Sequence, residues 1–382
     1  MNGKCILCGE NLYEESLYIL KNMPQVSQNL PTIDNLKDDK KIDLKLSQCR
    51  KCGLVQLDCE PVYYYKDSTR AAERSEGLIN LREEEYRYLI EKYNLKGKKI
   101  IEIGAGKGGY LRTLKDMTEY NISEYGIENN IEFVKEAQGL GVNVFQGDVE
   151  NKEVDLPGAP YDAFVSFSYL ARLINPNNMV SLIEKNLTEN GIGYILVPSL
   201  EHLMNGTGYF DIVRDHIAYY DIETLRFLFT KNNFEILEYG NKLNLYTYVV
   251  VRKRKRLNIK KHWDYVENLI KKVQQYVSEK KNENKKIAVW CAGHYAFTVL
   301  STTEIEENID YIIDNAKIKQ GHFAPGSKLP IVGPEHFNEA PVDVIMILGP
   351  IYIDEIVKEI RGKYSKKIEI VTLDKDGIKE CG

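Results

Sequence analysis

Four cysteines, in Cys5-Ile6-Leu7-Cys8-Gly9 and Cys49-Arg50-Lys51-Cys52-Gly53, can each present a thiolate to one metal ion. The glycine after each pair frees the turn that aims the sulfur atoms. Four thiolates suit tetrahedral zinc with no open coordination position, which is a structural site; disulfides are the alternative and are unusual in the cytoplasm. A second stretch with chemical meaning is Glu102-Ile103-Gly104-Ala105-Gly106-Lys107-Gly108-Gly109, entered from the β-branched run Ile100-Ile101. Gly104, Gly106 and Gly109 match G-x-G-x-x-G, which brings backbone close to a ligand between a strand and a helix N-terminus. Glu128 ends a second short strand 24 residues beyond Gly104, near the spacing at which an acid reaches ribose hydroxyls. Asp148 ends a third, Val142 to Asp148, where an acceptor suits an adenine amino group. Alternatively, the glycines serve turns alone. A third group is Asp215-His216, an imidazole beside a carboxylate, suited to general-base work. The alternative for His216 is a hydrogen-bonded residue at a helix start.

These residues need an α/β frame. Leu111 and Leu114 continue as a helix after the glycines, and Tyr161–Phe167 reads as a fourth strand ending at Phe167. The loop Ser168 to Arg172 leaves the C-terminal end of that strand and so faces the reaction. Met179 to Leu187 is helical, Gly191–Pro198 is a fifth strand, and Phe234–Tyr239 and Leu245–Val251 form a terminal hairpin. Ahead of this core, Tyr63-Tyr64-Tyr65 reads as extended or turning. Leu78, Leu81, Tyr86, Leu89, Ile90 and Tyr93 then mark an amphipathic helix whose default role is core packing, here over the cofactor cleft. Arg252–Arg256 is a basic cluster read as a solvated linker, followed by a connecting helix through Trp263, Val266, Ile270, Val273 and Val277. A second α/β unit starts at Lys286, with strands at Ile287–Trp290, Ile309–Asp314 and Val344–Leu348. Gly293 is the one glycine at its first turn, so a scaffold or substrate-side wall is favoured over a second nucleotide site.

The chain has 51 basic and 56 acidic side chains in 382 residues, a net −5 that argues against a nucleic-acid partner. No apolar run approaches the ~20 residues of a membrane span. Cys5 arrives before any apolar signal region could, so a cytoplasmic protein with no membrane partner is expected, as monomer or homodimer. The 26 tyrosines suit a polar cleft, and compositional bias explains them as well.

The order E-x-G-x-G-x-G, then Gly126-Ile127-Glu128, then Gly147-Asp148 resembles class I S-adenosylmethionine-dependent methyltransferases. The resemblance implies that Glu102, Gly104, Ala105, Gly106, Glu128, Asp148 and Phe167 bind S-adenosylmethionine. It widens over nearly the whole chain through Ile313-Asp314-Asn315, Lys319-Gln320-Gly321, Pro325-Gly326 and Leu329-Pro330-Ile331, similar to the C-terminal signature of sugar C-methyltransferases. The implied fold is α/β: a Rossmann-like class I core (96–252), an N-terminal zinc-binding domain (1–60) and a smaller C-terminal Rossmann-like α/β domain (286–382). A helical connector over the cofactor cleft (61–95) and a linker helix (253–285) join them. The implied reaction is methyl transfer to a nucleotide-linked keto-sugar, a small-molecule partner, at carbon.

In that family a Glu-His pair stands where this chain has Asp215-His216, so His216 is expected to take the sugar proton and Asp215 to bind a hydroxyl or bias the imidazole. Val213 and Arg214 stand where the family has a tyrosine, and Arg172 stands where it has a histidine. Arg172 can clamp an anion or stabilise an enolate but cannot act as a base. His202 is a second candidate base, and Arg172, Arg214, His202, Tyr65 and Tyr219 are the expected substrate-binding residues. The substitutions leave open an O- or N-methyltransferase, or a non-catalytic partner protein that binds S-adenosylmethionine.

Overall fold

A computed structural model describes residues 3–28, 30–64, 75–364 and 367–381, which fall into two compact units, 1–256 and 257–382. In the first unit, β1 (Tyr18–Pro24), β2 (Lys41–Gln48) and β3 (Val55–Leu57) form an antiparallel meander between and after the cysteine pairs. The long segment between the cysteine pairs thus carries two of these strands, β1 and β2. Helix α1 (Glu76–Lys92) follows, then β4 (Lys99–Ile103), α2 (Gly109–Asp116), β5 (Ser123–Glu128), α3 (Ile131–Gly139) and β6 (Val144–Gln146). The chain continues through β7 (Tyr161–Phe167), α4 (Pro176–Lys185), β8 (Leu187–Pro198), the short α5 (Leu200–Leu203), β9 (Ala218–Tyr219), α6 (Ile222–Lys231), β10 (Phe234–Lys242) and β11 (Tyr246–Lys253).

Seven of these strands make one sheet in the order β10-β11-β8-β7-β4-β5-β6. β4 to β8 run parallel, while β11 is antiparallel to both β8 and β10. Helices cover both faces, so strands buried on both sides read as near-continuous apolar runs. Ile101 and Ile103 pack on one side of β4, and Ile100 on the other with α1 and α2. Strand order reverses between β4 and β7, which puts their C-terminal ends at the crevice where open α/β sheets take ligands.

The N-terminal module is not independent of this core. β3 pairs with β9, Val55 opposite Tyr219, so a strand 164 residues downstream completes its sheet. Cys5, Cys49, Leu46 and Leu57 accordingly lie in one apolar cluster with Ile217, Ala218 and Tyr219.

The second unit begins with α7 (Lys260–Asn282), followed by β12 (Ile287–Trp290), α8 (His294–Thr303), β13 (Tyr311–Ile313), β14 (Ile331–Val332), β15 (Val344–Ile347), α9 (Ile353–Lys363), β16 (Glu369–Asp374) and β17 (Gly377–Glu380). The strand order is β14-β13-β12-β15-β16-β17, parallel except for β17. The helix expected as a linker is part of this unit, because Val273 and Val277 pack into its core with Ile287 and Val289. The basic cluster is also partly structural: Arg252 pairs with Glu235 at 2.7 Å, and Lys253 donates to the carbonyls of Glu184 and Leu187. Among the described residues no helix is long and apolar enough to cross a membrane.

Candidate active site and metal centre

The four thiols converge. All four sulfur atoms lie within 4.8 Å of one another, with Cys5–Cys52 at 3.5 Å and Cys8–Cys49 at 3.4 Å. A tetrahedral zinc–thiolate site has sulfur–sulfur edges of about 3.8 Å, from a bond length of about 2.3 Å. Gly9 (φ +77°) and Gly53 (φ +79°) take the left-handed conformation that turns each knuckle back, as their positions require. Backbone N–H groups of Leu7 and Lys51 donate to the sulfurs of Cys5 and Cys49, each at 3.4 Å, which favours thiolates. The Cys52 thiol holds Cys5 down to about 5, and the same contact with burial pushes Cys52 up. Four thiolates cannot coexist this closely without a cation to neutralise them. The donor set fits a tetrahedral metal ion.

The glycine loop leaves β4 with Gly104, Gly106 and Gly108 all at positive φ, +72°, +56° and +79°. Gly108 caps α2 at its N-terminus. Glu128 is buried at the end of β5, and its carboxylate accepts N–H bonds from Gly106 (2.9 Å) and Asn130 (3.0 Å). It thus ties the second strand end to the loop. Asp148 is half-buried after β6 and accepts the N–H of Glu150 at 3.0 Å. Glu102 and Ala105 are fully enclosed at the β4 end. Phe167, expected against the cofactor, turns its ring into the core among Tyr86, Tyr110 and Tyr194, because alternation along β7 points it toward α1. Tyr169, which sequence reasoning did not single out, covers the loop instead. A Cβ at Gly104 would lie 2.4 Å from the Tyr169 ring.

This contact sets a test. Gly104→Ala combines left-handed strain with overpacking, a loss of about 2–5 kcal/mol in urea unfolding. Gly97→Ala has a similar φ of +73° but meets no atom within 4 Å, so the strain alone, about 1–2 kcal/mol, is expected. Equal losses in the two variants would remove Tyr169 from the account.

Asp215 and His216 reach the same end of the sheet. The Ile217 N–H donates to the Ala171 carbonyl at 2.8 Å, which sets His216 beside the loop that leaves β7. Asp215 is buried; the Tyr64 hydroxyl donates to one carboxylate oxygen (2.7 Å) and the Ser27 N–H to the other (3.1 Å). Tyr64 also accepts the Gln28 N–H at 3.2 Å, and the Gln28 side-chain oxygen accepts from Arg172 at 3.2 Å. Asp215, Tyr64, Gln28 and Arg172 therefore form one connected polar set. Tyr64 and Gln28 were missed in the sequence; the tyrosine run was the one signal for Tyr64.

Other expected substrate residues are placed elsewhere. Tyr219 is fully buried in β9, its hydroxyl bonded to the N–H and carbonyl of Val213, and burial pushes its phenol up. Its role is to brace the turn before Asp215, not to face an acceptor. Arg214 donates to the carbonyls of Glu60 (3.0 Å), Gln25 (3.4 Å) and Pro61 (3.3 Å), holding two segments of the N-terminal module. His202, on α5, pairs with Asp211 at 2.9 Å. Tyr65 lies outside the described residues.

Comparison with known proteins agrees with this layout. Residues 78–239 match the methyltransferase domain family, and residues 255–373 match the C-methyltransferase C-terminal domain. The first unit thus carries a methyltransferase domain. The second unit carries the C-terminal domain found in C-methyltransferases. Its solved structural neighbours include an S-adenosylmethionine-bound amino pentose methyltransferase from Micromonospora echinaspora (13% identity, 46% of this chain and 90% of that chain, TM-score 0.36). They also include a magnesium protoporphyrin IX methyltransferase from Synechocystis with bound SAH (16% identity, 50% and 90%, TM-score 0.38). A third is an S-adenosylmethionine-dependent methyltransferase from Clostridium acetobutylicum (11% identity, 46% and 92%, TM-score 0.37). No curated protein is significantly similar to this chain in sequence.

Proposed function

We propose that the protein transfers a methyl group from S-adenosylmethionine to a carbon atom of a nucleotide-linked keto-sugar. The observation that carries this reading is the C-methyltransferase C-terminal domain at 255–373, directly after the methyltransferase domain. Glu102, the glycine loop with Ala105, Glu128 and Asp148 hold the cofactor in this reading, and the four cysteines hold a structural zinc. S-adenosylmethionine, when bound, supplies an electrophilic methyl group. The chain's task is then to orient the acceptor and to move one proton. His216, beside the β7 loop, takes the proton next to the acceptor's carbonyl. Arg172, a buried cation joined to the same polar set, stabilises the resulting enolate. Asp215, gripped by Tyr64 and Ser27, fixes the backbone that presents His216.

The second unit has a cavity of its own. It measures about 570 Å3 and opens at the C-terminal ends of β12, β13 and β15, where Trp290, His294, Asp314, Lys319 and Tyr352 line it. Such a switch point is where parallel sheets receive nucleotides.

The test is solvent exchange. Full-length protein incubated with a panel of nucleotide-linked keto-sugars in heavy water should catalyse deuterium uptake next to the carbonyl, followed by mass spectrometry, without any methyl donor. Methylation on oxygen with no such exchange would replace this reading with an O-methyltransferase.

A further inference from the structure

A buried arginine stands on the acceptor side of the sheet. Strand β7 ends at Phe167, and Ser168 then turns the chain at φ +59°, a left-handed conformation that few non-glycine residues take. A single 3-10 turn follows, Leu170–Arg172. Two backbone bonds fix it. The Arg172 N–H donates to the Tyr169 carbonyl at 3.0 Å, and the Ala171 carbonyl accepts the Ile217 N–H at 2.8 Å. The second bond sets Arg172 beside the turn that carries His216. Arg172 is 5% exposed, so its guanidinium stays within the site and does not trail in solvent.

The neighbours of this cation hold it without collapsing it onto an acid. Gln28 accepts from the Arg172 Nη1 at 3.2 Å and contributes an oxygen with no charge. Asp215, the anion of the same polar set, accepts the Tyr64 hydroxyl on one oxygen and the Ser27 N–H on the other. The path from Arg172 to Asp215 thus runs through two neutral side chains, Gln28 and Tyr64. A guanidinium presents five N–H donors in one rigid plane and so meets both oxygens of a planar anion together. A sugar hydroxyl or a ketone offers one oxygen, for which a lysine or an amide serves as well. Burial adds to the preference, because little water is left to screen the charge. The group that fits the fork is a carboxylate.

We propose that the acceptor is an acidic sugar, a nucleotide-linked keto-uronate, and that Arg172 binds its carboxylate. The inference rests on the nucleotide-linked keto-sugar reading above and narrows it. Arg172 becomes the residue that selects a uronate over the matching neutral hexose, in addition to stabilising the enolate.

The experiment compares two stable ligands by calorimetry on the full chain, with S-adenosylhomocysteine present. UDP-glucuronate carries a carboxylate where UDP-glucose carries a hydroxymethyl group, and neither has the ketone, so no turnover intervenes. The dTDP-linked pair is measured alongside. Wild type should bind the uronate about tenfold to a hundredfold more tightly than the neutral sugar, as expected for a charge-assisted bidentate pair. Arg172→Gln keeps a donor for Gln28 and loses the charge; it should abolish the discrimination by weakening the uronate alone. Arg172→Lys keeps the charge and loses the fork, and should retain about threefold to tenfold. A purely structural role for Arg172 would weaken both sugars alike. Equal affinity of wild type for the two sugars, or a uronate preference that survives Arg172→Gln, overturns the proposal. If Arg172→Gln does not fold, Arg172→Lys decides, and an undiminished preference there overturns it too. Failure of wild type to bind any of the four ligands defeats the nucleotide-sugar reading itself, a result distinct from binding without discrimination.

Discussion

His216→Ala should lower methyl transfer by about 10²- to 10⁴-fold, the usual contribution of a positioned general base. It should also abolish proton exchange next to the acceptor's carbonyl while S-adenosylmethionine affinity stays at the wild-type value. The separation follows from geometry. His216 is carried on the turn that bonds to Ala171, whereas the glycine loop is held by Glu128 from the other side of β4. Asp215→Asn should cost less, because an amide oxygen still accepts the Tyr64 hydroxyl while the charge and the acceptor of the Ser27 N–H are lost. Deuterium uptake by quenched-flow or mass spectrometry gives the exchange rate, and calorimetry gives the affinity. Full activity in His216→Ala would move the base to another group, with His202 the next to replace. Lost affinity together with lost activity would mean the turn supports the cofactor pocket as a whole.

Cys49→Ser should give insoluble or protease-sensitive protein. Metal binding in four-cysteine sites contributes about 10–16 kcal/mol that belongs to folding, while a domain's net stability is about 5–15 kcal/mol. Removing one ligand from a site that closes two knuckles therefore takes a large part of the margin. The damage should not stop at the N-terminal module. Strand β3 completes its sheet with β9, and Ser27, Gln28 and Tyr64 hold Asp215. Loss of the metal should thus reach the acceptor side before the glycine loop, which the module does not build. Elemental analysis should find about one zinc per wild-type chain, from the four-ligand rule. Metal-free protein that stays folded and active would contradict the metal site. A variant that keeps cofactor binding but loses acceptor turnover would show the coupling between module and site.

Several of these features were determined by the sequence alone, because their causes are local. Left-handed glycine positions, a β-branched strand and an acid at a strand end each depend on a few neighbouring residues. Glu102 through Gly109, Glu128 and the cysteine knuckles could therefore be read directly, and with them the class of fold. Alternation along β7 is local too, but the side that α1 covers is not, so the core position of Phe167 came only with the tertiary structure.

What the tertiary structure decided lies in contacts between distant residues. Tyr64 and Asp215 are 151 positions apart, and Arg172 and Gln28 are 144 apart. No periodicity links such residues, since chain crossing brings them together. The same holds for Tyr219 and Arg214. As residue types they suit a polar ligand, yet the β3–β9 pairing turns one into a core brace and the other into a clamp on backbone carbonyls. It holds as well for Tyr86, which the sequence places in the apolar stripe of a helix. The sheet buries that face of α1 against Phe167, and burial is what gives a polar atom a need for a partner.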